Sequence, residues 1–150
     1  METNTGYPQN YPHKLKSILE APEQFAEALR SHLSAANAFR IILYAPSASV
    51  VDHKVPATVL VVSDDGWLVA SENQDGGISV EQCKFYDTLF LELKSIVLWG
   101  RLKIDFASTG TSYSAVIRLS TAEERLYHEA IDLVLDGIDR TRASQSEKDR

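Results

Sequence analysis

The stretch 96–106 alternates between apolar and polar side chains over eleven residues. Because side chains of a β-strand point to opposite faces in turn, a period of two predicts a strand with one face in a core. The outward face would carry an aromatic ring and two cations, from Trp99, Arg101 and Lys103. The inward face would consist of Ile96, Leu98, Gly100, Leu102, Ile104 and Phe106.

Alternating or short apolar runs recur along the chain, separated by turn-forming residues. Asp64-Asp65-Gly66 predicts a hairpin, because Asp tolerates and Gly prefers the positive φ angles that a tight turn needs. The stretch 47–56 is predicted to be irregular. Short connections make consecutive strands antiparallel neighbours. Besides the stretch above, strands are predicted at 39–44, 57–63, 67–72 and 113–119, and a strand segment at 78–82 leads into another at 84–93. Lys94-Ser95 is predicted to be the bend that precedes the stretch above.

A Ser/Thr/Gly loop at 107–112 joins two of these strands. If Phe106 pairs with Tyr113 across the loop, Arg101 lies opposite Arg118. Like charges directly opposite each other destabilise a sheet in isolation. This register therefore indicates that the two side chains either splay into solvent or meet an anion or an acidic partner.

Two helices are predicted to flank the strands. Apolar residues at three- and four-residue steps predict an amphipathic helix over 22–37, with Pro22 as its first residue. Its apolar stripe would pack on the domain or, alternatively, bind a second copy or a partner. A second helix is predicted from Thr121, where Thr121 and Glu124 form a capping box, and Gly137 is predicted to end it. Its buried stripe is predicted to contain Tyr127, Ala130, Ile131, Val134 and Ile138, widened by Leu126, Leu133 and Leu135.

The order of helix, six or seven antiparallel strands and helix predicts an α+β fold. We expect a roll or a bent, partly open barrel that the C-terminal helix closes. The domain would span residues 38–139, after the helix at 22–37. Residues 1–21 are predicted to be a mobile arm and residues 140–150 a disordered tail, because both are polar and lack periodicity.

Composition excludes several classes of function. A chain of 150 residues with a formal net charge of −6 is long enough for a core and is not expected to attract nucleic acid. Its single cysteine, Cys83, allows no internal disulfide and no cysteine-rich zinc site. The sequence contains no apolar run of membrane-spanning length and no secretory signal pattern. A cytoplasmic location is therefore expected.

Four segments together resemble a known family. They are the hairpin at 59–70, the segment at 78–83, the strand at 92–104 with its aromatic and glycine, and the helix from Thr121. These segments are similar to the pleckstrin-homology-like domains of bacterial proteins, over residues 39–138. The resemblance implies a bent antiparallel barrel capped by one helix. It also implies a binding or scaffolding role, with self-assembly in some members.

Motifs for chemistry are sparse. The sequence contains no phosphate-binding glycine loop and no recognisable nucleophile motif. Cys83 is interpreted as a buried strand residue. Glu124, His128 and Asp132 share a helix face at four-residue steps, and a solvated face is the commoner meaning of such a stripe. We predict no cofactor, no metal and no catalytic residue.

One group of residues, Trp99, Arg101, Lys103 and Arg118, is a candidate binding surface, since Trp and Arg are enriched at binding hot spots. The alternative is a solvated strand face with arginine stems over the tryptophan. The resulting hypothesis is a non-enzymatic protein-binding or scaffold module that self-associates or binds another protein. The alternatives are a lipid-headgroup module, for which the loop at 47–56 offers only His53 and Lys54, and a small-molecule binder or enzyme with a site near the N-terminal helix.

Overall fold

The computed structural model describes residues 13–32, 39–50, 53–95, 99–120 and 124–148. These residues form two α-helices and ten strands, all of them paired antiparallel. The α-helices are α1 (Glu23–Arg30) and α2 (Glu124–Lys148). The strands are β1 (His13–Lys14), β2 (Phe39–Ala45), β3 (Ala48–Val50), β4 (His53–Val55), β5 (Thr58–Ser63), β6 (Gly66–Glu72), β7 (Ile78–Lys84), β8 (Thr88–Ser95), β9 (Trp99–Ser108) and β10 (Thr111–Ser120).

The strands divide into two main sheets and one small hairpin. The five-stranded sheet has the order β1-β2-β5-β6-β7, and the three-stranded sheet has the order β10-β9-β8. Seven strands contain six to ten residues, so the predicted α+β class and the number of principal strands are confirmed. The stretch 47–56, predicted to be irregular, instead holds the β3–β4 hairpin.

The predicted turn between β5 and β6 is confirmed. Val62 pairs with Trp67, so the turn residues lie between two paired strands. The Ser63 hydroxyl accepts hydrogen bonds from the backbone N–H groups of Asp65 and Gly66, both at 3.3 Å. These bonds satisfy the turn's own polar groups, so the hairpin is encoded by local sequence.

The predicted register of β9 with β10 is also confirmed. Phe106 pairs with Tyr113, and Arg101 pairs with Arg118. The two turn residues at 109–110 have φ angles of 50° and 84°. Two positive φ angles in a row define the turn whose twist matches the flanking strands.

The prediction that the strands close into a bent barrel is wrong. Within the part of the chain that the structure describes, no strand of one sheet pairs with a strand of the other. A 3₁₀ turn, Phe85–Asp87, redirects the chain between β7 and β8, so these two strands enter different sheets. At the other edge β1 pairs with β2, and Lys14 Nζ lies 2.6 Å from Glu129 Oε1 of α2. Helix α2 therefore packs where a barrel would close.

The five-stranded sheet is buried on both faces. One face, with Leu60 and Trp67, packs against the three-stranded sheet and α2. The other face, with Val61 and Leu68, packs against α1 and the segment after β1. This double burial explains why β5 is a continuous apolar run, since successive side chains enter different cores.

The N-terminal segment contributes to the second core. Residues 1–21 are predicted to be a mobile arm, but Leu15 and Ala21 are buried and Ile18–Glu20 forms a 3₁₀ turn. Short polar segments gain order here because β2 offers a free edge for pairing. Residues 1–12 lie outside the described residues.

Helix α1 is shorter than the predicted span of 22–37. Pro22 is its N-cap, so the helix begins at Glu23, one position after the predicted start, and Ser31 is its C-cap. Residues 33–38, where the prediction placed the helix end, lie outside the described part. Phe25 and Leu29 have no exposed surface and hold the helix on the five-stranded sheet.

Helix α2 continues past the glycine that was predicted to end it. It runs through Gly137 and through most of the predicted tail at 140–150, which corrects both expectations. A Cβ atom at Gly137 would overlap the Phe85 ring, so the glycine serves close packing instead of termination. Residues 121–123 of the predicted capping box lie outside the described residues. The predicted buried stripe is confirmed at Tyr127, Ala130, Val134 and Ile138, whereas Leu135, which was predicted to widen it, is exposed.

Candidate functional site

The side of the three-stranded sheet that points away from the core, here called the outer face, carries the predicted binding residues. Cross-strand pairing aligns Lys94 of β8, Arg101 of β9 and Arg118 of β10 in one row. Directly opposed side chains of neighbouring strands have Cβ atoms about 4.5–5.5 Å apart. The structure therefore brings three cations together, of which sequence reasoning had found two. The alternation of β8 was the signal for Lys94, which was interpreted as a bend.

The next positions of the outer face mix both charges. Lys103 pairs with Glu92, and Arg101 Nη2 lies 3.9 Å from Glu92 Oε1. Lys103 Nζ also lies 3.9 Å from Asp105 Oδ1, and the Ser114 hydroxyl donates to that oxygen at 2.6 Å. These distances are long for ion pairs between exposed groups, which contribute about 0–1 kcal/mol each. The carboxylates therefore neutralise the cations only in part.

The row of cations is not balanced by carboxylates. No acidic group lies within 4.0 Å of Lys94 or Arg118 among the residues that the structure describes. In the same part of the chain, Arg101 Nε is covered and has no hydrogen-bond acceptor. The arrangement leaves guanidinium donors available on a surface with excess positive charge.

Apolar side chains stand among these charges. Phe90, in the row of Asp105 and Ser114, is 54% exposed, and Val116, opposite Lys103, is 43% exposed. A patch of aromatic, aliphatic and arginine side chains has the composition of a protein-interface core. Trp99 pairs with Ser120 at the start of β9, but its side chain lies outside the described residues. Its role in the patch stays a prediction.

A groove of about 630 Å³ opens between the β5–β6 turn and the β9–β10 turn. Two of its lining residues, Trp67 and Lys84, take part in hydrogen bonds beside the Phe85–Asp87 turn. Trp67 Nε1 donates to Thr88 Oγ1 at 2.9 Å, and that hydroxyl donates to the Lys84 carbonyl at 3.0 Å. Burial raises the pKa of the Cys83 thiol, with a smaller opposing effect from Thr88. The thiol is therefore protonated at neutral pH and is a poor nucleophile.

The stripe of Glu124, His128 and Asp132 on α2 is tied into hydrogen bonds at Glu124. His128 Nε2 lies 3.4 Å from Glu124 Oε2, and the Ser95 hydroxyl donates to Glu124. The Ser95 hydrogen bond is the largest cause of a lowered pKa at Glu124. No group of three potential ligands occurs in the described ranges. Glu124 thus ties α2 to the end of β8.

The features that bear on a membrane are the β3–β4 hairpin and the helices. The side chains of His53 and Lys54 in the β3–β4 hairpin lie outside the described residues. No helix in the described part of the chain combines the length and apolarity that crossing a bilayer requires.

Comparison of the chain with protein-family models, with curated proteins and with solved structures found no match. The function is therefore inferred from the geometry of the outer face.

Proposed function

We propose that this chain is a non-enzymatic protein-binding module, and that the outer face is its binding surface. The row of Lys94, Arg101 and Arg118 is the observation that supports this most strongly. Two arginines directly opposite each other cost stability in the isolated domain. If carboxylates of a partner bound to these arginines, the repulsion between the arginines would be relieved on binding and the relief would add to the affinity. We also propose a cytoplasmic location, in keeping with the free thiol of Cys83.

The same surface indicates the chemistry of the partner. Partner carboxylates would accept hydrogen bonds from the arginines in bidentate geometry. Partner apolar groups would cover Phe90 and Val116, which are exposed on the two strands that flank β9. We therefore propose that the partner is a protein segment with alternating acidic and apolar side chains.

A lipid surface is the less favoured occupant. The net charge of −6 disfavours approach to an extended anionic membrane surface.

A small-molecule site near the N-terminal helix is less favoured still. Phe25 and Leu29 fill the space between α1 and the five-stranded sheet.

The test uses a labelled peptide of alternating Glu and Leu residues, titrated with the full chain at low and high salt. The variant Arg101→Gln/Arg118→Gln removes two cations from the outer face. We expect it to weaken binding at least about tenfold, because charge-assisted hydrogen bonds are lost. The control Lys16→Gln/Arg30→Gln removes two exposed cations elsewhere and should bind like the wild type.

Equal binding by both variants, or no binding by the wild type, would overturn the proposal. Vesicles with neutral or anionic lipids are the second arm of the experiment. Salt-sensitive binding to anionic vesicles without binding to the peptide would overturn it in favour of the lipid-headgroup alternative.

A further inference from the structure

We infer that the partner of the outer face is the solvent side of helix α2 in a second copy of this chain. The inference rests on the proposed function, since it takes the outer face as the binding surface and names what covers it. Its basis is the match of charge and apolar surface between two separate parts of one molecule.

The solvent side of α2 offers the chemistry that the outer face lacks. Asp132, Leu135, Asp136 and Asp139 recur at steps of three or four residues, which place them on one side of the helix, and all four are exposed. Leu135 is 45% exposed, so an apolar side chain lies amid three carboxylates. Arg140 Nε pairs with Asp136 at 2.9 Å, whereas no ion pair within the described residues involves Asp132 or Asp139. The acidic face of α2 is defined here as Asp132, Leu135 and Asp139.

The distribution of charge favours a pairing of unlike faces. The outer face holds four cations and two carboxylates, which give it a net charge of +2. Because the whole chain has a net charge of −6, the rest of the chain carries a net charge of −8. Two outer faces brought together would oppose their arginine rows, and two acidic faces would oppose carboxylates. Either symmetric contact places like charges together, which costs several kcal/mol. Among the three possible pairings of these two faces, the contact of an outer face with an acidic face is the one that joins opposite charges.

The two faces are exposed simultaneously in one copy. Helix α2 buries Tyr127, Val134 and Ile138 in the core between the sheets, so its acidic face points to solvent. The outer face lies on the far side of the three-stranded sheet from that core. Since the two faces share no residue, each copy offers both halves of the contact. Such a head-to-tail contact extends into chains of copies unless its rotation closes a ring.

Two neutral variants test this arrangement. The sheet variant is Arg101→Gln/Arg118→Gln, and the helix variant is Asp132→Asn/Asp139→Asn. Each variant loses one half of the contact and keeps the other. We expect each variant alone to lower the association constant at least about tenfold. An equimolar mixture should form dimers that grow no further, since the intact helix face of one variant fits the intact sheet face of the other.

Sedimentation equilibrium of the full chain measures these states, from about 10 µM to about 1 mM, a range suited to weak association. The wild type should grow beyond a dimer with concentration and shrink as salt screens the charges. The control Lys16→Gln/Arg30→Gln should assemble like the wild type. Circular dichroism and melting temperature establish that every variant is folded.

A wild type that stays monomeric over this range, a variant that assembles like the wild type, or a mixture that stays monomeric would each overturn the inference. The Glu/Leu peptide separates this failure from failure of the proposed function. If the wild type is monomeric but binds the peptide through Arg101 and Arg118, the self-recognition is wrong and the binding module stands. If peptide binding is absent as well, both are wrong.

Discussion

The two main sheets of this chain differ in how many of their faces are covered. The five-stranded sheet lies between two cores, with the three-stranded sheet and α2 on one side and α1 on the other. The three-stranded sheet is covered on one side only, and its outer face is exposed or half-exposed. The difference is visible in the strands themselves, because every residue of Thr58–Val62 is buried whereas buried residues alternate in β9.

This contrast separates the sheet whose faces stabilise the domain from the face that we propose as a binding surface. In a sheet with two covered faces, the side chains of both faces pack in the interior and are not accessible to a partner. A sheet with one open face can carry charges that are unfavourable in isolation, because water screens them until a partner arrives. The following substitutions test the contrast, from the largest expected effect to the smallest.

Trp67→Ala should have the largest effect on stability. The ring is 2% exposed in the core that both sheets share, and it meets Phe106 edge-on at a centroid distance of 5.2 Å. We expect the free energy of unfolding in urea to fall by about 3–5 kcal/mol. Trp67→Phe keeps most of the volume and loses the hydrogen bond to Thr88, so it should cost about 1–2 kcal/mol. Equal losses for the two variants would contradict this packing.

The same substitution in each sheet gives a direct comparison. Val61 of β5 is 1% exposed and faces α1, whereas Val116 of β10 is 43% exposed on the outer face. Val61→Ala should lower the free energy of unfolding by about 2 kcal/mol, from lost burial and the cavity left behind. Val116→Ala should change it by less than about 0.5 kcal/mol. Similar losses at both positions would show that the outer face is covered in the monomer.

Gly137→Ala tests whether α2 depends on close contact with the turn between the sheets. Helix propensity alone predicts a gain of about 1 kcal/mol. The overlap of a Cβ atom with Phe85 predicts a net loss of about 1–2 kcal/mol instead. In a protein that also carries Phe85→Ala, Gly137→Ala should no longer lower the free energy of unfolding. A double-mutant cycle measures this coupling. A gain in stability from Gly137→Ala alone would contradict the close contact.

Arg118→Thr should have the smallest effect on stability and the opposite sign. Removing one of the two opposed arginines should raise the free energy of unfolding by about 0.2–1 kcal/mol. The same variant should bind the Glu/Leu peptide less tightly than the wild type. Arg118→Lys keeps the charge and should leave stability unchanged within that range. If Arg118→Thr neither gained stability nor lost peptide binding, the two arginines would be shown to splay into solvent.

Sequence reasoning succeeded where the information is local. The turn at Asp64-Asp65-Gly66, the register that places Arg101 opposite Arg118, and the buried stripe of α2 were all predicted. Turn chemistry and periodicity are properties of a few neighbouring residues. For the same reason, two of the three cations in the row were found from sequence alone.

Sequence reasoning failed where distant segments decide the outcome. Gly137 resembles a helix stop, yet it lies inside α2 because Phe85, more than fifty positions earlier, occupies the place of a side chain. Lys94 was missed because its neighbours in space are on β9 and β10. Barrel closure was predicted by resemblance, but the 3₁₀ turn and the pairing of β1 with β2 divide the strands between two sheets.

The sequence by itself therefore determined the α+β class, the strand and turn pattern, and the side of β9 that carries charge. These follow from steric preferences of single residues and from periodicity, which act over short distances. Only the tertiary structure decided which sheet faces are covered, how α2 passes Phe85, and that three cations form one row. Those outcomes depend on which elements compete for the same apolar surface, and that competition is settled between segments far apart in the chain.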